Sequence, residues 1–201
     1  MSQIKLKHSG GNGVIIAAPS SNPAAARTLL LPGDGDSTID TLGRTGNILQ
    51  VKQTVKKDVF SESVGTGTES SLVTGLTVSI TPSSSSNKIL LFYQIVANRQ
   101  VTYFVLDKDG SVFTDAIGDA DGSKGRVTAA AIYQSNSRFC STLPIMFMDS
   151  PADTSSHTYG LRLRHTSVST QTLILNQSDD STNNSTNSSM ISSVTAMEVS
   201  A

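Results

Sequence analysis

The chain has no tryptophan, one cysteine and three glutamates, and only 15% of its 201 residues are charged. Each shortage removes a class of function. Cys140 alone forms neither an intrachain disulfide nor a multi-cysteine metal site, so stability rests on burial or assembly. Fifteen Lys plus Arg against sixteen Asp plus Glu leave a formal net charge of −1, without the basic excess of a nucleic-acid binder. Glu62, Glu69 and Glu198 sit in unrelated segments and give no paired-carboxylate signature of glycoside cleavage. The serines lack a Gly-x-Ser-x-Gly elbow, and His8, His157 and His165 fall in no metal-binding motif. With four tyrosines, aromatic platforms for sugar stacking are scarce. The expectation is a protein that is not an enzyme and needs no cofactor. The longest apolar run, residues 89–97, is far short of the ~20 residues that span a bilayer, so no membrane insertion is expected. Behind Lys5 and Lys7 there is no apolar stretch of a secretory leader, which predicts a soluble product made in a cytoplasm.

What is abundant is serine and threonine, roughly a quarter of the chain, beside 37% hydrophobic residues. That combination suits half-exposed β-strands. Residues 1–46 read as short strands broken by Gly10, Gly11 and Gly13, followed by a connector rich in Gly and Asp. Residues 47–201 read as one all-β domain, an antiparallel sandwich or jelly roll, with strand signals every ten or so residues. Leu76, Val78 and Ile80 alternate with polar neighbours, and Tyr159, Leu161 and Leu163 oppose Arg162 and Arg164. Further strands are predicted at 48–55, 88–97, 101–106, 126–133, 141–148, 173–176 and 189–199, and no helix is predicted.

Two of these strands are apolar on both parities, residues 89–97 and 143–148. A sandwich strand has one face in its own core, so a continuous run implies cover on the other face, by loops of the same chain or by a second copy. The second option places Leu91, Tyr93, Ile145 and Phe147 at an interface between copies of the chain. Asp107, Asp109, Asp119 and Asp121 are the only acidic cluster that evokes a Ca²⁺ loop, but the twelfth-position glutamate is missing and Asp109-Gly110 is a hairpin-turn dipeptide. The polar stretch 178–189 reads as a solvated loop or as a surface that touches a glycan.

The N-terminal segment carries a more specific pattern: Val14-Ile15-Ile16-Ala17-Ala18-Pro19, then Arg27-Thr28-Leu29-Leu30-Leu31-Pro32, then a Gly/Asp turn. It resembles the anchoring segment of tail-fibre and other virion proteins of marine and cyanobacterial bacteriophages. The resemblance covers about the first fifth of the chain, and Asp36-Ser37-Thr38-Ile39 departs from the Gly-Thr-Leu-like ending. Residues 193–199 also look like the last strand of those proteins. The resemblance implies short anchoring strands before a trimeric jelly roll of TNF-like type, located in the virion. Ile4, Leu6, Val14, Ile15, Ile16, Arg27, Leu29 and Leu31 would then contact other virion proteins, and the sandwich would reach a host surface glycan. A capsid decoration or tail and neck protein without receptor role, and a free jelly-roll carbohydrate-binding module, are the competing readings.

Overall fold

A computed structural model describes residues 3–7, 10–11, 13–17, 44–131, 136–180, 182 and 187–201. The chain divides into two compact units, Met1–Ile39 and Asp40–Ala201. In the first, strands β1 (Gln3–Lys7) and β2 (Gly13–Ala17) pair antiparallel, with Ile4 opposite Ile16, Lys5 opposite Ile15 and Leu6 opposite Val14. Gly11, between them, has φ of +94°, a conformation that glycine adopts without steric cost. Arg27, Leu29 and Leu31 lie outside the described residues.

The second unit is an antiparallel β-sandwich. Its strands are β3 (Ile48–Lys56), β4 (Phe60–Val64), β5 (Val78–Ile80), β6 (Lys88–Asn98), β7 (Tyr103–Lys108), β8 (Ser111–Val112), β9 (Ala129–Ala130), β10 (Cys140–Asp149), β11 (His157–Arg164), β12 (Gln171–Leu175) and β13 (Ser192–Val199). One sheet runs β3-β13-β6-β10, extended at one end by β12 and β4, and the other runs β5-β11-β7-β8, with β9 also on β7. Setting aside the accessory strands, the two sheets follow the jelly-roll order 1-8-3-6 and 2-7-4-5. A single 3-10 turn, Thr114–Ala116, is the one helical element among the described residues.

Alternation explains most of this. Leu76, Val78 and Ile80, and Tyr159, Leu161 and Leu163, all point into the space between the sheets and are buried. They meet Ile89, Leu91, Tyr93 and Ile95 from the first sheet, and the Tyr93 hydroxyl donates to the Gly160 carbonyl across the core. Pro144 sits in β10, which among the described residues pairs only with β6; an edge strand tolerates the missing N–H. Asp109 and Gly110 both have positive φ, 56° and 83°, and join β7 to β8 as a two-residue type I′ hairpin turn. The strand expected at 126–133 narrows to Ala129–Ala130 among the described residues, while β4 and β8 escape the sequence pattern.

The sandwich has two distinct ends. Gly46 donates its N–H to the Ser200 carbonyl where β3 begins, and Thr81, Lys88, Asp149, His157 and the Asp109-Gly110 turn lie at this same end. The opposite end carries the start of β7, the end of β11 and the end of β4, tied by His165 Nε2, which bonds the Val64 carbonyl at 2.9 Å. Loops 65–68, 118–128 and 165–170 gather at that far end.

Candidate assembly interface

The register of the first sheet fixes which side chains share its outer face. Val51 of β3 is opposite Met197 of β13, Met197 opposite Leu90 of β6, and Leu90 opposite Met148 of β10. The next row is Gln53, Thr195, Phe92 and Met146, and the third is Val55, Ser193, Gln94 and Pro144. Directly opposed side chains on one face of a sheet lie within ~5.5 Å of each other at Cβ, so the rows are continuous. None of the twelve is charged. Met146 is 70% exposed, Val51 54% and Phe92 40%, with Met148 and Val55 also exposed. Large exposed apolar side chains standing together, rather than singly, mark an interaction surface. Gln53 Nε2 donates to Thr195 Oγ at 3.0 Å, so the polar members of the middle row satisfy each other.

This geometry corrects the expected interface residues. Leu91, Tyr93 and Ile145 are buried in the chain's own core, and Phe147 packs edge-on against Phe113 with ring centroids 5.2 Å apart. A side-chain period of two puts them on the opposite face from Leu90, Phe92, Met146 and Met148. The outer face is therefore apolar as predicted from the two continuous runs, but through the other parity.

The four candidate Ca²⁺ ligands do not converge. Asp107 is spent on Arg162, at 2.8 Å from Nε and 2.7 Å from Nη2, and on the Gly110 N–H of its own turn. Asp109 accepts from the Thr158 N–H at 2.7 Å and touches His157 Nδ1 at 2.8 Å. Partial desolvation pushes its carboxyl up, but the His157 and Thr158 hydrogen bonds outweigh it and hold the carboxyl below its usual range. Asp119 and Asp121 belong to the 117–128 connection, where Asp121 pairs with Lys124. Among the described residues no group of three His, Cys, Asp or Glu side chains is placed to hold a metal.

His157 also contacts Asp153 through Nε2 at 3.1 Å, clasping the 150–156 loop to the hairpin turn. His165 is buried, with Nε2 on the Val64 carbonyl and Nδ1 accepting from the Ser167 N–H. His157 and His165 thus act as local struts. Burial, and more weakly the Asp179 charge, raise the Cys140 thiol to about 11, which keeps it protonated and unreactive at neutral pH. In the polar stretch, Asp179 receives Asn98 and Arg99, and Asp180 receives Arg138 and Thr182, so its described acidic residues tie loops together. No protein-family model matches the chain, and no curated protein matches it significantly.

Proposed function

We propose that the chain is a structural protein of a phage virion, a homotrimer that joins through the outer face of its first sheet and attaches to the particle by its N-terminal segment. The observation that carries the assembly is the uncharged set of three rows running from Val51 to Met148 and from Val55 to Pro144, apolar at eight of its twelve positions. Identical copies of such a face meet without like-charge repulsion, which any strongly charged face would impose on a homomeric contact. The same cover accounts for the two apolar runs of β6 and β10.

The attachment role is supported by the resemblance of the N-terminal segment and by the β1-β2 pair. Among the described residues β1 and β2 pair only with each other, and a two-stranded ribbon is marginal in water and gains from a strand that a partner protein adds at its edge. The jelly roll is then the part that projects, as a fibre or spike-like component, with host glycan as the surface it can meet. A chain lacking residues 1–46 is expected to retain the trimeric sandwich yet to be missing from purified particles of the phage that encodes it, as read by immunoblot. Truncated protein present in particles at the full-length level overturns the attachment role. A soluble, monomeric full-length chain with saturable sugar binding would instead identify a free carbohydrate-binding module.

A further inference from the structure

At the far end of the sandwich, opposite the end where Gly46 meets Ser200, Tyr103 and Arg164 are cross-strand partners on β7 and β11. They form the floor of a cavity of about 390 Å³, within the ~300 to 1,000 Å³ of small-ligand sites. Its walls are the Thr66-Gly67 turn, the Lys124-Gly125 turn and Thr166. The floor therefore sets an aromatic ring beside a guanidinium, and the walls add hydroxyls and an ammonium.

The guanidinium is held in place before any ligand arrives. Its Nη1 donates to Glu69 Oε1 at 3.0 Å, and the backbone bridge between Glu69 and Arg164 fixes that partner. Gly125 supports it from the other side: a Cβ on Gly125 would overlap Nη2 and lie 2.7 Å from Cζ. Only glycine leaves room for the guanidinium in that position. Glu69 occupies Nη1, and among the described residues no acceptor faces Nη2. His165 lines the cavity but both its ring nitrogens are committed to the backbone. Two carboxylates reduce the local positive charge, Glu69 on Arg164 and Asp121 on Lys124. The second pair is exposed on both sides and is the kind of surface ion pair that a ligand anion displaces at little cost.

We infer that this cavity binds a sugar ring bearing an oxyanion, with Arg164 Nη2 on the oxyanion, Lys124 as second cation and the Tyr103 ring beside the pyranose. A planar guanidinium is suited to carboxylate and phosphate, and an aromatic face suits the apolar side of a sugar. A fixed guanidinium also avoids the ordering cost that a free arginine meets on binding. The source of the ligand, an acidic or phosphorylated glycan on a host surface, rests on the virion reading; the binding itself does not.

The test is titration of the full-length ¹⁵N-labelled protein with glucuronate, glucose 6-phosphate and glucose, followed at the amides of Thr66, Tyr103 and Gly125. Saturable shifts with an affinity on the order of millimolar are expected for one or both anionic sugars and not for glucose. Preference for glucuronate points to an acidic polysaccharide, and preference for the phosphate to a phosphorylated core sugar. Gly125→Ala, which displaces the guanidinium without changing charge, and Arg164→Lys, which keeps the charge and loses the planar fork, should each weaken binding by roughly tenfold. Both variants should keep the thermal midpoint and the assembled mass of the parent. Absence of shifts at tens of millimolar anion, or equal binding by parent and both variants, overturns the site and leaves particle attachment through residues 1–46 untouched.

Discussion

Glu198→Gln is expected to destabilise the sandwich by about 3 kcal/mol at neutral pH and to remove the share of its acid sensitivity that Glu198 contributes between roughly pH 4.5 and 2. Glu198 points inward from β13 and is almost completely buried, yet among the described residues no cation pairs with it. Its Oε1 accepts from the Ser83 N–H at 2.6 Å, the Ser83 hydroxyl at 2.7 Å and Asn87 Nδ2 at 2.6 Å, and its Oε2 from Gln50 Nε2 at 2.6 Å. Burial pushes the carboxyl up, but these bonds from Asn87, Gln50 and Ser83 more than offset it and bring it down to about 2 from 4.5. The folded value lies below the unfolded one. The carboxylate's stabilising contribution is therefore full above the unfolded carboxyl range and is lost as pH falls towards 2. A drop of about 2.5 pH units corresponds to ~3 kcal/mol. Glutamine places an amide N–H₂ against one of these donor sets and carries no charge, so the variant starts near the acid-weakened state. Denaturant unfolding of parent and variant at pH 7 and pH 3 should show a gap that closes in acid. A gap that stays constant across that range contradicts the assignment.

Tyr93→Ala is expected to cost about 3 to 5 kcal/mol, whereas Tyr93→Phe costs about 1 kcal/mol. The ring is fully buried between the sheets, and its hydroxyl bonds the Gly160 carbonyl at 3.1 Å. Burial, and more weakly the Asp107 charge, keep that hydroxyl un-ionised far above its ordinary range. Alanine removes the ring and leaves a cavity in the core, whereas phenylalanine removes only the bond to the Gly160 carbonyl, which stays opposite Asp107 in the β7-β11 ladder. Because Tyr93 belongs to one chain's core, both losses should be independent of protein concentration and measurable in denaturant. A Tyr93→Ala chain that unfolds like the parent but no longer assembles would restore Tyr93 to the interface.

The parity of the β6 run shows where the sequence stops being informative. Strands with a wet face, such as Tyr159 to Leu163 against Arg162 and Arg164, declare their orientation through alternation. Residues 89–97 do not, since Leu90 and Phe92 are as apolar as Leu91 and Tyr93. One weak signal was present: Gln94 shares its parity with Leu90 and Phe92, and Thr142 and Pro144 share theirs with Met146 and Met148. Polar residues on the same parity mark the side away from the core. β4 was hidden for another reason, because Phe60 and Val64 face inward but Ser61, Glu62 and Ser63 between them give no apolar repeat. The far-end cavity was out of reach altogether, since Tyr103, Gly125 and Arg164 meet only through strand pairing and loop return. The hairpin at Asp109-Gly110 was legible, because a two-residue I′ turn requires positive φ at both positions.

The account turns on the outer face of the first sheet, and sedimentation equilibrium of the full-length protein at micromolar concentration tests it most directly, run beside the Phe92→Glu/Met146→Glu variant. Three times 21.1 kDa for the parent and 21.1 kDa for a variant that still unfolds cooperatively is the predicted result. A parent of 21.1 kDa, or a variant that keeps the parent's assembled mass, contradicts it.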